Sequence, residues 1–306
     1  MRKVPTFILM AFLLPPSHPV NGQFVVFREF FFTGQPPEAY FDSLGMKRSD
    51  GVYEDEVTGG QPPVKEVFMR STARALMALP RDRPYIKWYD IEYLNTDVER
   101  VGRAQAKMNS DTLAKYIGWA KSQEPDLEVG IYSMTPVADI YISSRLELRQ
   151  SWNDLTQSLA DAVDFLCPSI YLYYPESRVP FARYAPLMVA EAKRLAKGKK
   201  VYAFVAPGYH PAGSLAHTYA SKEIWSNVLS TIRNSDADGC VIFAGRGAMG
   251  NQYGDWARAD TSGWWAATMA FMDSLSSGAF LREEPRGPSP EPKIVTPKKK
   301  RPFLPP

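Results

Sequence analysis

Two acidic residues separated by one position form the clearest chemical signal in the sequence. They are Asp90 and Glu92, in the segment Tyr85-Ile-Lys-Trp-Tyr-Asp-Ile-Glu-Tyr-Leu. Residues two apart on a β-strand share a face, so a strand here would point Trp88, Asp90 and Glu92 one way and Lys87 the other. Like charges held close in a partly dry pocket raise the proton affinity of one carboxyl. The pair predicts a general acid beside a charged partner, although this spacing also occurs at solvated strand ends.

Aromatic residues accompany the acidic pair. Trp88 precedes it on the same predicted face, and Tyr132, Tyr171, Tyr173 and Tyr209 lie at the ends of later apolar segments. Aromatic rings pack well against the C–H faces of sugars, whereas most of the sixteen Phe are explained by core packing. The combination favours a cleft for carbohydrate.

Strand-like and helix-like segments alternate along the body of the chain, which predicts parallel strands joined by crossover helices. The predicted strands are 24–33, 85–92, 128–134, 164–173, 200–206 and 238–244, and the predicted helices are 98–122, 146–162, 184–196, 222–233 and 263–276. An open doubly wound sheet and a closed (β/α) barrel both fit this pattern. No glycine-rich phosphate loop follows the first strand, and polar and aromatic residues gather at strand ends, as in a barrel. We therefore expect a distorted TIM-like (β/α) barrel of seven or eight strands, although no confident strand is seen between Tyr40 and Val57.

Other reactive residue types give weaker signals. Cys167 and Cys240 lie in apolar strand-like segments and are expected to be buried thiols, although one disulfide is conceivable. His210 and His217 follow Tyr209 without a third ligand at convincing spacing, so we expect loop histidines and no metal site. The sequence contains no G-x-S-x-G motif, so an esterase is not supported. No cofactor is expected.

The two ends of the chain differ from its body. Residues 1–22 combine Arg2 and Lys3 with a short apolar segment and Pro15-Pro16, which is typical of an export signal more than of a buried first helix. Residues 282–306 are rich in proline and lysine and are expected to be a disordered tail. Residues 23–281 would then form one catalytic domain, secreted or periplasmic, without stable membrane insertion after signal cleavage.

The charge distribution limits the partners. The formal net charge is +3, but basic residues are concentrated at both ends and leave the body mildly acidic. Such a body is a poor general binder of nucleic acid, so we expect none. A monomer is expected.

The order of several motifs resembles the hyaluronidase family of glycoside hydrolases. The motifs are Asp90-Ile-Glu92, Gly130-Ile-Tyr-Ser, Asp164-Phe-Leu-Cys-Pro-Ser-Ile-Tyr-Leu-Tyr, Val201-Tyr-Ala-Phe-Val-Ala-Pro-Gly-Tyr209 and Asp238-Gly-Cys-Val-Ile-Phe-Ala-Gly. Each motif is weak alone, whereas their order and spacing between residues 24 and 245 are fairly specific. The resemblance implies a distorted (β/α) barrel.

The resemblance also implies roles for residues. Glu92 would be the general acid/base, and Asp90 would orient the substrate's 2-acetamido group, whose carbonyl oxygen attacks the anomeric carbon. Tyr171 and Tyr209 would hold that group, and Tyr132 would line the same subsite. The remaining substrate-binding candidates are Trp88, Tyr173 and Phe243. The implied partner is a polysaccharide that contains N-acetylhexosamine.

Departures from the family pattern leave the substrate and the activity open. Phe243 stands where the family has Trp, and Ala206 stands where it has Arg. Hyaluronan, chitin-like and peptidoglycan-like glycans are therefore alternatives, with Arg178 and Arg246 as candidate contacts for an anionic one. Two other interpretations are a catalytically inactive glycan-binding barrel and a cell-surface structural protein whose basic tail is the working part.

Overall fold

The computed structural model describes residues 23–79, 85–213, 215–216, 218–245, 254–259 and 262–277. The predicted export signal at 1–22 and the predicted tail at 282–306 lie outside these residues, as do His217 and Arg246, so the corresponding predictions stay predictions. No helix within the described ranges is both long and apolar enough to cross a membrane.

Within the described residues, seven parallel strands form a closed barrel, which confirms the predicted fold class. Consecutive strands pair in chain order, and the last pairs with the first, with Val25 opposite Gly239. The barrel strands are β1 (Val25–Phe30), β3 (Lys47–Tyr53), β4 (Tyr85–Asp90), β5 (Gly130–Tyr132), β6 (Phe165–Cys167), β7 (Lys200–Val205) and β8 (Gly239–Ala244). Two short strands, β2 (Phe32–Thr33) and β9 (Gly254–Asp255), pair with each other outside the barrel.

Helices surround the barrel. They are α1 (Glu38–Ser43), α2 (Glu54–Thr58), α3 (Glu66–Met77), α4 (Val98–Val101), α5 (Arg103–Gln123), α6 (Leu146–Asn153), α7 (Gln157–Ala162), α8 (Phe181–Ala196), α9 (Lys222–Arg233), α10 (Trp256–Ala259) and α11 (Trp264–Ser277). The predicted helices 98–122 and 146–162 are each interrupted. Gly102, at φ +79°, separates α4 from α5, and a 3₁₀ turn, Asp154–Thr156, separates α6 from α7. The first three helices were not predicted.

The strands have two different faces, as the alternation of side chains requires. Trp88 packs inside the barrel with residues such as Phe27 and Phe204, while Tyr89 packs in the layer between the barrel and the helices. Lys87 also points outward, because its Nζ lies 3.9 Å from the Met77 Sδ. The predicted division of β4 into an inner and an outer face is therefore confirmed for these residues.

The two cysteines lie on opposite faces of the barrel wall. Cys167 belongs to the interior cluster, and Cys240 packs in the outer layer. Both are free and buried, as expected for structural thiols. Burial raises the pKa of each thiol well above its ordinary value, which makes both poor nucleophiles.

Candidate active site

Asp90 and Glu92 lie at the carboxyl end of β4, but only Asp90 belongs to the strand. β4 ends at Asp90, and Glu92 is an exposed residue beyond it, so the prediction that both share one face of a strand is wrong for Glu92. The physical reason is a change of backbone partner. The amide groups of Glu92 and Tyr93 both donate to the Glu54 Oε2, each at 2.9 Å. The two carboxylates nevertheless open into the same cavity.

This cavity, called the main cavity here, lies at the carboxyl ends of the barrel strands and has a volume of about 530 Å³. Its lining includes seven of the eight predicted site residues: Trp88, Asp90, Glu92, Tyr132, Tyr171, Tyr209 and Phe243. Tyr173 is the exception, since it lines a neighbouring cavity. The carboxyl end of the strands is where (β/α) barrel enzymes build their active sites.

Two further cavities adjoin the main one. The acidic side cavity, about 500 Å³, is lined by Glu54 and Asp55 together with Asp90 and Glu92. The arginine side cavity, about 510 Å³, is lined by Arg100, Arg145, Arg149 and Tyr173, among others, and again by Glu92. Glu92 therefore lies where the three cavities meet, and together they are called the cleft below.

The surroundings of Glu92 favour its protonated form. Although Glu92 is exposed as a residue, protein atoms crowd its carboxyl, and this desolvation is the largest cause of a pKa raised above the ordinary value. The negative charge of Glu54 raises the pKa further, and the positive charge of Arg100 opposes both effects. A carboxyl that keeps its proton closer to neutral pH suits a general acid.

Protonated tyrosines surround Asp90. Burial, reinforced by the negative charge of Asp90, raises the pKa of Tyr132 and of Tyr171 well above the ordinary value. The Tyr132 hydroxyl donates to the Ser169 Oγ at 3.1 Å. The observed strand β6, Phe165–Cys167, is shorter than the predicted strand 164–173. Tyr171 therefore lies beyond the end of the strand. Its backbone carbonyl accepts a hydrogen bond from Tyr184. Both phenols are therefore neutral hydroxyl groups held close to a carboxylate.

The other aromatic candidates differ in accessibility. Trp88 is only 1% exposed and its ring lies 4.9 Å from that of Phe204, so it forms the floor of the main cavity more than an open stacking surface. Tyr209 is buried at the wall, and Phe243, on β8, lies 6.4 Å from the ring of Tyr171. Trp256, whose role the sequence left open, packs against Phe32 in an aromatic cluster outside the barrel.

The structure gives His210 a place that its loop position did not indicate. Its imidazole lines both the main and the arginine side cavity and lies 4.3 Å from the ring of Tyr173. The Ala212 amide donates to its Nδ1 at 3.1 Å, so the neutral ring carries its proton on Nε2. Burial lowers the pKa of His210, which makes the neutral form dominant at neutral pH.

Arg178, a candidate contact for an anionic glycan, and the arrangement of metal-ligating residue types remain to be described. Arg178 stacks over the ring of Tyr174, 4.0 Å from its centre, and lines none of the three cavities. Within the described part of the chain, no group of three or more His, Cys, Asp or Glu side chains is arranged to hold a metal ion.

Sequence reasoning missed Glu54 and gave no role to Arg100. Arg100 lies on α4, inside the predicted helix 98–122, whereas Glu54 lies in a region without predicted elements. Glu54 begins α2 directly after β3, and neither element was predicted. The usable signal was an acidic run, Glu54-Asp-Glu56, directly after a short segment that ends in Val-Tyr.

Comparison with known proteins supports the fold. No family model matches the chain, and no curated protein matches it. A crystal structure of bee venom hyaluronidase matches with a TM-score of 0.57 and 16% identity, over 83% of this chain and 97% of that one. The same enzyme in complex with a hyaluronic acid tetramer matches with a TM-score of 0.55 and 15% identity, over 83% and 96%. A Cellulomonas fimi endo-β-1,4-mannanase double mutant matches with a TM-score of 0.48 and 15% identity, over 79% and 58%. The predicted resemblance is thus confirmed at the level of the fold: this chain folds like bee venom hyaluronidase.

Proposed function

We propose that the protein is a glycoside hydrolase that cleaves a bond next to an N-acetylhexosamine. The observation that carries the proposal is the convergence of Asp90 and Glu92 on one aromatic cavity at the carboxyl ends of the barrel strands. The fold shared with bee venom hyaluronidase supports the same class of reaction.

Glu92 is the proposed proton donor. Its raised pKa keeps a larger fraction of the carboxyl protonated near neutral pH, and its exposed position at the junction of three cavities gives a glycosidic oxygen access to that proton. After the leaving group departs, the Glu92 carboxylate can accept a proton from the incoming water. In retaining glycosidases, the same residue commonly acts as the acid in the first step and as the base in the second.

Asp90 is proposed to orient the substrate's acetamido group. Asp90 and Glu92 are one residue apart in the chain and line the same two cavities, so we infer that their carboxylates are too close together to act on opposite faces of one sugar ring. The acetamide carbonyl oxygen would instead attack the anomeric carbon, and Asp90 would stabilise the positive charge that develops on the amide. The neutral hydroxyl of Tyr171 lies near Asp90 and is proposed to contact the same group, beside Tyr132, whose own hydroxyl proton is donated to Ser169.

A catalytically inactive glycan-binding barrel is the second candidate. Phe243 favours it, because an aromatic residue other than the family's Trp lines the main cavity here. Such a module would retain the cleft and bind sugar without turnover.

The test is a product screen with hyaluronan, chitin oligomers and peptidoglycan, in which wild type is compared with Glu92→Gln. We expect wild type to release reducing ends from at least one of them and Glu92→Gln to be slower by about 10²- to 10⁴-fold, the usual contribution of a general acid. Glu147→Gln changes an exposed glutamate on α6 that lines none of the three cavities; it is the matched control and should keep full activity.

Equal rates for wild type and Glu92→Gln would refute the role of Glu92. Binding of a glycan by wild type without turnover of any of the three polymers would instead support the inactive module.

A further inference from the structure

The main cavity offers uncharged contacts to a ligand. Among the described residues that line it, Asp90 and Glu92 are the acidic residues, and neither lysine nor arginine is present. The rest of the lining is mostly aromatic or small, and its polar groups include the neutral hydroxyls of Tyr132 and Tyr171 and the neutral imidazole of His210. Rings and neutral donors of this kind suit an uncharged pyranose.

The acidic side cavity adds negative charge next to the main cavity. Four carboxylates line it, those of Glu54, Asp55, Asp90 and Glu92, and its described lining contains no lysine or arginine. An anionic sugar unit in this cavity would meet these like charges, and the described part of the lining offers it no lysine or arginine.

The arginine side cavity does not supply the missing positive charge, because two of its arginines are already paired. The Arg145 and Arg149 Nε groups both donate to the Asp139 Oδ2, at 2.8 and 2.9 Å. Both side chains also bond Glu99, and Arg149 lies 3.3 Å from Asp97. Burial acts to raise the pKa of Asp139, but the hydrogen bonds from Arg145 and the charge of Arg149 hold it below its usual range.

Arg100 is the remaining arginine of this cavity. Its Nε lies 3.6 Å from the Asp97 Oδ2, and its side chain is 74% exposed. One exposed cation faces the carboxylates of Asp97 and Glu92 in the same cavity. Across the three cavities, the acidic side chains outnumber the basic ones among the described residues.

We propose that this cleft takes an uncharged N-acetylhexosamine polymer, of the chitin type, and discriminates against polyanionic glycans such as hyaluronan. The inference rests on the proposed function and names its substrate class. Hyaluronan carries a carboxylate on every second sugar, so any stretch that fills the cleft brings negative charges toward the carboxylates of the acidic side cavity, whose described lining contains no lysine or arginine. Repulsion of this kind disfavours the wrong ligand, and salt weakens it.

The experiment measures binding and cleavage of two probes of equal length, N-acetylglucosamine hexamers and hyaluronan hexasaccharides, by the full chain. Binding is measured with wild type and with Glu92→Gln, by calorimetry at about 10 mM and about 300 mM salt, a range over which the screening length falls from about 30 Å to below 10 Å. We expect the N-acetylglucosamine hexamer to bind at least about tenfold more tightly at low salt, and the difference to shrink at high salt.

A matched pair of variants tests whether the cleft charge is responsible. Asp55→Asn removes one negative charge from the acidic side cavity, and Asp126→Asn removes one from an exposed turn elsewhere. The first should narrow the preference by a few-fold at low salt, as a partly screened charge would, and the second should leave it unchanged.

The outcomes separate this inference from the proposed function. Hyaluronan binding that is equal or tighter at low salt overturns the inference even if hydrolysis is found, and so does a failure of both probes to bind. A preference for the uncharged hexamer without cleavage of either probe keeps the inference and refutes the hydrolase. An equal effect of Asp55→Asn and Asp126→Asn would also overturn it, because the preference would then not originate in the cleft.

Discussion

Glu92 is tuned by two side chains of opposite charge that come from different parts of the barrel. Desolvation is the largest cause of the raised pKa of Glu92. Glu54, at the start of α2, raises this pKa further, and Arg100, on α4, lowers it. Glu54 also accepts the backbone amides of Glu92 and Tyr93, so one carboxylate sets both the position and the charge environment of the proposed acid.

Substitution of these two residues should move the pH profile in opposite directions. In Glu54→Gln, the side-chain oxygen can still accept both amides, but the charge is lost, so the pKa of Glu92 falls. A general acid works only while protonated, and the alkaline limb of kcat/KM should therefore move to lower pH. In Arg100→Gln the same limb should move to higher pH. Initial rates between pH 4 and pH 9, with kcat and KM determined separately, provide the check.

A shift in the same direction for both variants would contradict this assignment. Glu54→Ala serves as the comparison, because it removes the hydrogen bonds as well as the charge. It should lower kcat across the whole profile in addition to moving the limb.

The sequence predicted the residues of the candidate site better than their positions. Asp90 and Trp88 were placed correctly because strand alternation inside a barrel wall depends on local pattern alone. The position of Glu92 was wrong because its backbone pairs with Glu54, 38 residues earlier, and local pattern carries no information on such a partner. The roles of these residues stay predictions.

At the level of elements, β3 shows why one strand was missed. Its sequence, Lys47-Arg-Ser-Asp-Gly-Val-Tyr, is polar and lacks the apolar run of a buried parallel strand. Gly51 on this strand leaves room for the ring of Trp88 on the neighbouring strand. A Cβ at Gly51 would lie only 2.4 Å from the Trp88 Cζ2. Trp88 fills the barrel interior next to β3, so the strand needs little side-chain volume of its own.

Gly51→Ala should therefore destabilise the barrel. The added methyl group collides with a ring that is 1% exposed and closely packed, and overpacking of this kind costs about 1–3 kcal/mol. Gly118→Ala, on α5 where nothing lies within 4 Å of the new Cβ, is the matched control and should be neutral or slightly stabilising. Urea unfolding followed by tryptophan fluorescence measures both. An unchanged midpoint for Gly51→Ala would show that Trp88 can move away freely.

At the level of the whole molecule, the two ends of the barrel carry different kinds of acidic residue. The carboxyl end holds Glu92, whose pKa is raised. The amino end holds Asp164 and Asp238, each directly before a strand. Asp164 accepts the Val129 amide at 2.8 Å, and Asp238 accepts the Val201 amide at the same distance. Each aspartate thus ties the start of its own strand to the neighbouring one, so these contacts stabilise the amino end of the barrel, while the proposed chemistry belongs to the carboxyl end.

Asp238→Asn is the substitution that separates these two tasks. Asp238 also bonds Lys193 and Lys200, and these bonds hold its pKa below the usual range although burial alone would raise it. A group with a lowered pKa stabilises the fold above its unfolded pKa of about 4 and loses that contribution as the pH falls through the folded pKa. At pH 7 the variant should be less stable by about 1–3 kcal/mol, the scale of hydrogen bonds to a charged group.

The difference between wild type and Asp238→Asn should shrink steadily below about pH 4, where the wild-type carboxylate takes up its proton. Denaturant unfolding at pH 7, 5, 4 and 3 measures it, with Asp126→Asn as the exposed control. Glycan turnover per folded molecule should match wild type, because Asp238 lies at the opposite end of β8 from Phe243 in the cavity wall. A variant that kept full stability at pH 7 but lost activity would mean that the two ends of the barrel are not separate in function.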